Sequence, residues 1–430
     1  MPEDLGGCQK MTLDNSEDIQ YRQKLVEEVS KLQEIIEKNL PDMFGILMAC
    51  LSVKAQMLIE GINLPFFLVL VGRASGSKTT ILGCLEILPD SIKTYNITSK
   101  SFVSHIANVK QEDLKEIDLL PRIKNKMLIT PELGTMFSTR EDKLLETLGI
   151  LTTILDGKGY RSESGVHGSR GYDGDYYFTW IGAIPKLSDH LLKILGNLGP
   201  KIYFLRLNDE NLTDEEEEQK ILDAITGKKY AVRLAEVQQQ TKAVWDVLES
   251  YIKQHGKIKW DTQKDDIETV QKIVSSAAIL SKLRVPIHYE KHPSEKGFVM
   301  EVESRELPTR AATLLLYIAK GHAVLHGRNY VVEDDLGVVL DVALSSAFKK
   351  RARAFRALLE NKGEINTQEL ADKMNVAKQT ALNQIKELVV VGLGEFIHQP
   401  GRTKPFDAIQ LNKRLHWLLE DKYKKYWKRS

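Results

Sequence analysis

Residues 66–88 read FFLVLVGRASGSKTTILGCLEIL. Six apolar residues, Phe66–Val71, run into a glycine-bearing turn, and Lys78-Thr79 ends the turn where an amphipathic stretch begins. Strand, tight turn and helix in this order form a phosphate cradle, the P-loop. Backbone N–H groups at the helix start face the anion, a lysine meets its charge and a hydroxyl holds Mg²⁺. The turn reads Gly72, Arg73, Ala74, Ser75, Gly76, Ser77, Lys78, Thr79, then Thr80. Gly72, Ser75, Gly76, Ser77, Lys78, Thr79 and Thr80 are the candidate nucleotide contacts, Thr79 is the candidate metal ligand, and ATP with Mg²⁺ is the expected cofactor. Ser77 stands where Gly-x4-Gly-Lys-Thr would carry glycine. A serine forced to positive φ costs about 1 kcal/mol or more; a serine already in helical conformation costs nothing.

From this motif to about Leu207 strands and helices alternate, the pattern of an α/β fold. The expected strands are Phe66–Val71, Met127–Thr130, Tyr176–Ile184 and Lys201–Leu207, with a helix over Glu141–Leu155. The second strand leads into Pro131-Glu132. Glu132 is the candidate to orient an attacking water; its other reading is a helix-end carboxylate ahead of Leu133 and Gly134. Pro131 occupies the position where an aspartate would support the metal. Residues 156–175, DGKGYRSESGVHGSRGYDGD, carry turn signals at both ends and in the middle and read as a projecting loop or hairpin. Lys158, Arg161, His167 and Arg170 stand there among Tyr160 and Tyr172, residue types that can follow a nucleic-acid backbone. Glu163, Asp173 and Asp175 favour a hairpin without that contact.

The 430 residues suffice for two or three domains, and 42% apolar with 28% charged residues is ordinary globular composition. A net charge of +1 excludes bulk attraction to a polyanion, but residues 349–430 hold 18 Lys/Arg against 9 Asp/Glu. That end is expected to meet a polyanion or to be a solvated helical surface. Cys8, Cys50 and Cys84 have no metal-ligand spacing and fit a reducing compartment. The acidic N-terminal stretch has no apolar signal region. Lys54, Glu60, Asn63 and Pro65 interrupt the apolar run from Met43 to Leu70, short of the ~20 residues of a membrane helix. A cytoplasmic protein without a membrane segment is expected.

Residues 16–39 read as a surface or partner-facing helix, 214–283 as a helical region, and 285–306 as a polar connector. Helices follow over about 309–326 and 333–350. Phe355–Leu411 reads as a winged helix-turn-helix. Thr367 caps a helix over Gln368–Met374, Asn375-Val376-Ala377 is the turn, and the next helix from Lys378 buries Ala381, Leu382, Ile385 and Leu388. Residues 395–411 form the wing. Lys378, Gln379, Lys386, Arg402 and Lys404 are the candidate DNA contacts, with protein docking as the other use of such a module. The tail 422–429 reads as a frayed helix end or a nucleic-acid arm.

From Phe66 to about Lys350 the chain resembles the AAA+ ATPases, and within them the minichromosome-maintenance (MCM) helicases, with the MoxR-type ATPases as neighbours. Four pieces carry the resemblance: the loop with Lys78 and Thr79; MLITPE at 127–132; YFTWIGAIP at 177–185, similar to a sensor-1 strand; and LPTRAATLLLYIAKGHA at 307–323 with RNYVVEDDL at 328–336, similar to the helical lid. The resemblance implies a P-loop AAA+ core with a helical lid, followed by the winged helix. The segments would be 1–60 (N-terminal helical), 61–210 (core), 211–350 (linker and lid) and 351–430 (winged helix with basic tail). It implies Arg310 as the sensor-2 arginine. Ile184 replaces the sensor-1 asparagine. Lys201 stands at the arginine-finger position, with Arg161, Arg170 or Arg206 as other donors across a subunit boundary. The implied function is that of a ring-forming, hexamer-type ATP-driven DNA translocase or helicase served by loader or accessory proteins. Ser77, Pro131, Ile184 and Lys201 together favour an alternative, a nucleotide-dependent DNA-binding switch or scaffold with weak hydrolysis. A MoxR-like chaperone ATPase is the third reading.

Overall fold

The computed structural model describes residues 16–73, 77–104, 109, 111–164, 168–199, 201–207, 229–291, 298–302, 305–397 and 408–427, with isolated positions between 213 and 226. Five strands, β1 (Phe66–Val71), β2 (Ser91–Lys93), β3 (Met127–Thr130), β6 (Thr179–Ile184) and β7 (Ile202–Arg206), form a parallel sheet in the order β2-β3-β6-β1-β7. Strands β4 (Gly159–Ser164) and β5 (Gly168–Asp173) pair separately as an antiparallel hairpin. The α/β class and the four expected sheet strands are present; the short edge strand β2 was not foreseen.

The central strands are apolar runs because helices cover both faces. One face carries Phe66, Leu68, Leu70 and Leu205 and packs on the Phe44–Ala55, Lys78–Glu86, Thr309–Leu325 and Leu336–Ser345 helices. The other carries Phe67, Val69, Trp180 and Phe204 beneath the Glu141–Ile154 and Asp189–Leu198 helices. Phe67 and Trp180 are register partners, and their rings stack at 3.9 Å. The Thr309–Leu325 helix lies so close to Phe44–Ala55 that a Cβ on Gly321 would sit 1.9 Å from the Ser52 carbonyl oxygen.

The Ser16–Asn39 helix is not a free surface element. It buries Leu25, Val29, Leu32 and Ile36 and packs along Tyr230–His255. Among the described residues the expected helical region holds the helices Tyr230–His255 and Ile267–Arg284. The stretch read as a polar connector contains a second hairpin, β8 (Ile287–Lys291) with β9 (Phe298–Val302).

Beyond Lys349–Glu360 the chain forms a three-stranded antiparallel sheet, β10 (Glu364–Asn366), β12 (Ala408–Leu411) and β11 (Gly394–Ile397), with helices Thr367–Met374 and Lys378–Val390. Asn366, not Thr367, is the helix cap. Its Oδ1 accepts from the Gln368 and Glu369 N–H groups at 2.9 and 3.0 Å, and Glu369 accepts from the Asn366 N–H at 3.0 Å. Arg402 and Lys404 lie outside the described residues. The tail is neither frayed nor an arm as far as Trp427. Asp421–Trp427 is helical, Tyr423 and Trp427 are buried, and Trp427 Nε1 donates to the Leu418 carbonyl at 3.0 Å. No helix among the described residues is long and apolar enough to cross a membrane.

Candidate nucleotide site

β1 delivers its loop to the C-terminal edge of the sheet, where the Gly72 N–H donates to the Ile184 carbonyl at 3.3 Å. Lys78 is buried at the start of the following helix. Its Nζ donates to the carbonyls of Gly72, at 2.7 Å, and Arg73, at 2.5 Å. The ammonium is thus held by the carbonyl oxygens of the first two residues after β1. Ser77 has φ −67° and ψ 14°, so the position that departs from the motif needs no left-handed backbone and serine carries no strain there. Thr79 is exposed on the first helical turn. Thr80 is buried, and its hydroxyl pairs with that of Tyr230 at 2.7 Å, tying the helix to Tyr230–His255. Ser75 and Gly76 lie outside the described residues.

Glu132 follows β3 on the same edge, with β6 lying between β3 and β1. It is exposed, and its Oε1 accepts from the Gly134 N–H at 2.8 Å. The carboxylate thus has the cap geometry that sequence left as its second reading. The turn is fixed on β6: the Leu133 N–H donates to Ala183 at 2.9 Å, and a Cβ on Gly182 would lie 2.1 Å from Leu133 Cδ1. Ile184 is 2% exposed and its side chain belongs to the apolar core, so only its backbone offers a polar contact.

A cavity of about 490 Å³ opens at the C-terminal end of β7, the strand beside β1, where the Leu207 N–H donates to Val71 at 2.8 Å. Phe44, Ile46, Leu205 and Val338 supply apolar lining, and His322, His326 and Asp341 supply polar groups. Its volume lies in the range of about 300–1,000 Å³ common to small-molecule sites. Sequence reasoning missed it because the lining comes from four separated segments; the one local signal was two histidines four residues apart. Burial pulls His326 down to about 4, and the nearby His322 and Arg328 add to the effect. Burial works to raise the Asp335 carboxyl, but hydrogen bonds from His322 (2.7 Å) and Arg328 (2.7 and 3.0 Å) outweigh it and hold the group below the usual carboxylate range.

Arg310 and Lys201 meet at the opposite edge. Lys201 Nζ donates to the Thr152 carbonyl at 2.7 Å and lies 2.8 and 2.9 Å from the Asp156 carboxylate oxygens. Arg310 donates to the same carboxylate at 2.5 Å and to the Leu155 carbonyl at 2.6 Å. Lys201 precedes β7, while Arg206, at its far end, is the register partner of Val71. Five residues of strand separate the two edges by about 16 Å. Neither cation therefore stands on the edge that carries its own chain's Lys78. Arg206 is engaged elsewhere, its Nε donating to the Ser345 carbonyl at 3.2 Å.

The β4–β5 hairpin leaves from the edge that holds Asp156, anchored by the Tyr176 N–H on the Gly157 carbonyl at 2.8 Å. Lys158 pairs with Asp175 at 2.7 Å, and Arg161 pairs with Asp173. Tyr172 is buried and donates to Asp118 at 2.8 Å, so its ring is not available for stacking. Arg170 is half-buried, and His167 lies outside the described residues. In the C-terminal module Lys378 and Gln379 are exposed and Lys386 is half-buried. The other face of that helix is occupied: Glu387 accepts from Arg351 and Gln384, each at 3.0 Å, and from Tyr289 of β8. Arg351 and Arg356 are buried, so part of the basic excess at this end is internal structure.

No protein-family model and no curated protein matches the sequence. Among solved structures, an MCM homolog from Methanopyrus kandleri is 10% identical with a TM-score of 0.42, over 79% of this chain and 64% of that one. The helicase Cch of SCCmec type IV is 11% identical with a TM-score of 0.33, over 91% of this chain and 71% of that one. The C-terminal region of NrS-1 is 11% identical with a TM-score of 0.22, over 90% and 76%. The chain thus spans 64% of the length of the first of these, and likenesses this weak bear on no residue of the site.

Proposed function

We propose that the chain is an ATP-binding P-loop protein of AAA+ type that assembles into a ring of copies and acts on DNA, as a translocase or helicase. The observation that carries the reading is the placement of Lys78: buried, at the start of a helix that follows β1, an inner strand of a parallel sheet, with its ammonium on the loop carbonyls. Bound Mg²⁺-ATP would supply a transferable phosphoryl group. Lys78 would leave the Gly72 and Arg73 carbonyls to meet its charge, Thr79 would offer its hydroxyl to the ion, and the 490 Å³ cavity would seat the base. Glu132 would have to release the Gly134 N–H before it could orient a water. Arg310 and Lys201, on the far edge, are assigned to a neighbouring copy's nucleotide rather than to their own. In this reading residues 1–60, 61–210, 211–350 and 351–430 are the N-terminal helical segment, core, lid and winged helix. The winged helix meets DNA through Lys378 and Gln379 with the Arg402–Lys404 tip, and a loader or accessory protein supplies the strand.

One observation favours a second reading, a nucleotide-dependent switch or scaffold with weak turnover: both Glu132 and the Arg310–Lys201 pair are already bound, to Gly134 and to Asp156. The test is ATP binding and turnover by the full chain, with and without single-stranded DNA. DNA-stimulated turnover that Lys78→Ala abolishes supports the motor. Tight binding without turnover supports the switch, and loss of neither function in Lys78→Ala refutes the site. Stimulation by protein alone points to the chaperone reading.

A further inference from the structure

A second cavity, of about 390 Å³, lies away from the P-loop, where the start of the Ser16–Asn39 helix, the end of Tyr230–His255 and the loop 256–261 come together with Asn329. Three rings line it in a row: Tyr21 stacks on Tyr251 with centroids 4.0 Å apart, and His255 lies 4.5 Å from Tyr251, tilted by 33°. His255 is exposed, so the row ends on a ring open to solvent.

The loop beside it reads Gly256-Lys-Ile-Lys-Trp260. Lys257 and Lys259 are exposed and make no ion pair with another described residue; Ile258 and Trp260 turn toward the body. Extended backbone sets two such lysines about 6.6 Å apart on one side. The loop is clamped before any ligand arrives. The Ile258 N–H donates to Leu58 at 2.8 Å, the Glu60 N–H donates to Ile258 at 3.0 Å, Asn329 Nδ2 donates to the Lys259 carbonyl at 3.1 Å, and Trp260 Nε1 reaches Asp265 at 3.1 Å. The other end of that amide, Asn329 Oδ1, is buried and has no hydrogen-bond partner. The acids of the cavity are in use: Asp18 accepts from Tyr251 at 3.0 Å, and Asp261 pairs with Lys264 and accepts from the Gln263 N–H at 3.2 Å.

An open ring face, two cations at chain spacing and an unsatisfied amide acceptor match the parts of a nucleotide unit: base, backbone phosphates and a base N–H donor such as the N3–H of thymine. We infer that this groove holds a segment of single-stranded nucleic acid, with a base on His255 and phosphates on Lys257 and Lys259. The inference deepens the nucleic-acid part of the proposed function and is independent of the P-loop.

The test is fluorescence anisotropy of a labelled oligo(dT) with the full chain across a salt series. Lys257→Gln/Lys259→Gln should weaken binding about tenfold at low salt and flatten the salt slope by about 1.4, the loss of two single-strand phosphate contacts. His255→Ala should weaken binding about fivefold or more and leave the slope unchanged. ATP binding by the full chain is read separately, so a failure here leaves the nucleotide site standing. Unchanged affinity and slope in the lysine variant overturn the inference. Displacement of the oligonucleotide by dTMP at equal nucleotide concentration also overturns it, because the groove would then be a mononucleotide site.

Discussion

Acidification should loosen this protein through His326. The ring borders the cavity beside β7, 4.6 Å from the His322 ring, with Arg328 and Asp335 nearby. Its pKa falls from 6.5 in the unfolded chain to about 4 in the fold. Because the unfolded chain takes up the proton more readily, stability is intact above pH 6.5 and is lost as pH falls toward 4. At 1.36 kcal/mol per tenfold change, the full gap is worth at most about 3.4 kcal/mol, and about 2 kcal/mol is gone by about pH 5. Asp335 works in the same direction but lower, since its carboxyl is held below the usual range. His326→Phe keeps a ring in place and cannot ionise. Urea unfolding of both chains at several values from about pH 7.5 to 5 isolates the effect as a difference. The parent should lose about 2 kcal/mol more than the variant over that interval. A difference that stays flat refutes the argument that burial keeps this imidazole neutral.

Gly321→Ala should destabilise the protein by about 1–3 kcal/mol, read from the urea midpoint, because its new methyl collides with a backbone oxygen that cannot move alone. Asp156→Asn should lower stability by about 1–2 kcal/mol, since Lys201 and Arg310 would then face each other across a neutral amide; an unchanged melting curve would show that the cluster holds nothing together. Trp427→Ala should cost about 3–5 kcal/mol, visible as a lowered thermal midpoint, whereas an unpacked arm would give no change.

The sheet strands are legible because burial on both faces forces continuous apolar runs, as in Phe66–Val71 and Met127–Thr130. What sequence could not show were partnerships across long separations. Arg310 and Asp156 are 154 residues apart, and nothing in either neighbourhood announces the pair. The β8–β9 hairpin is hard to read from sequence because His288, Glu290 and Lys291 make its first strand mostly polar. The tail misled for a related reason. Lysines crowd Tyr423 and Trp427, yet the two aromatics lie one helical turn apart and turn inward, while Lys422 pairs with Glu333 at 2.7 Å.

The junction of Arg351, Glu387, Gln384 and Tyr289 has a mechanical consequence. Arg351 also donates to the carbonyls of Leu283 and Val285, at 3.1 and 2.7 Å, just where the Ile267–Arg284 helix ends. The C-terminal module is therefore not hung on a flexible tether, free to search for a ligand while the rest of the chain stands still. It is bolted to that helix as an arm is to a shaft. Any rotation of the helix would be carried outward at the same angle and grow in distance toward the tip, so a small displacement at the Arg351 junction would become a larger sweep at the far end.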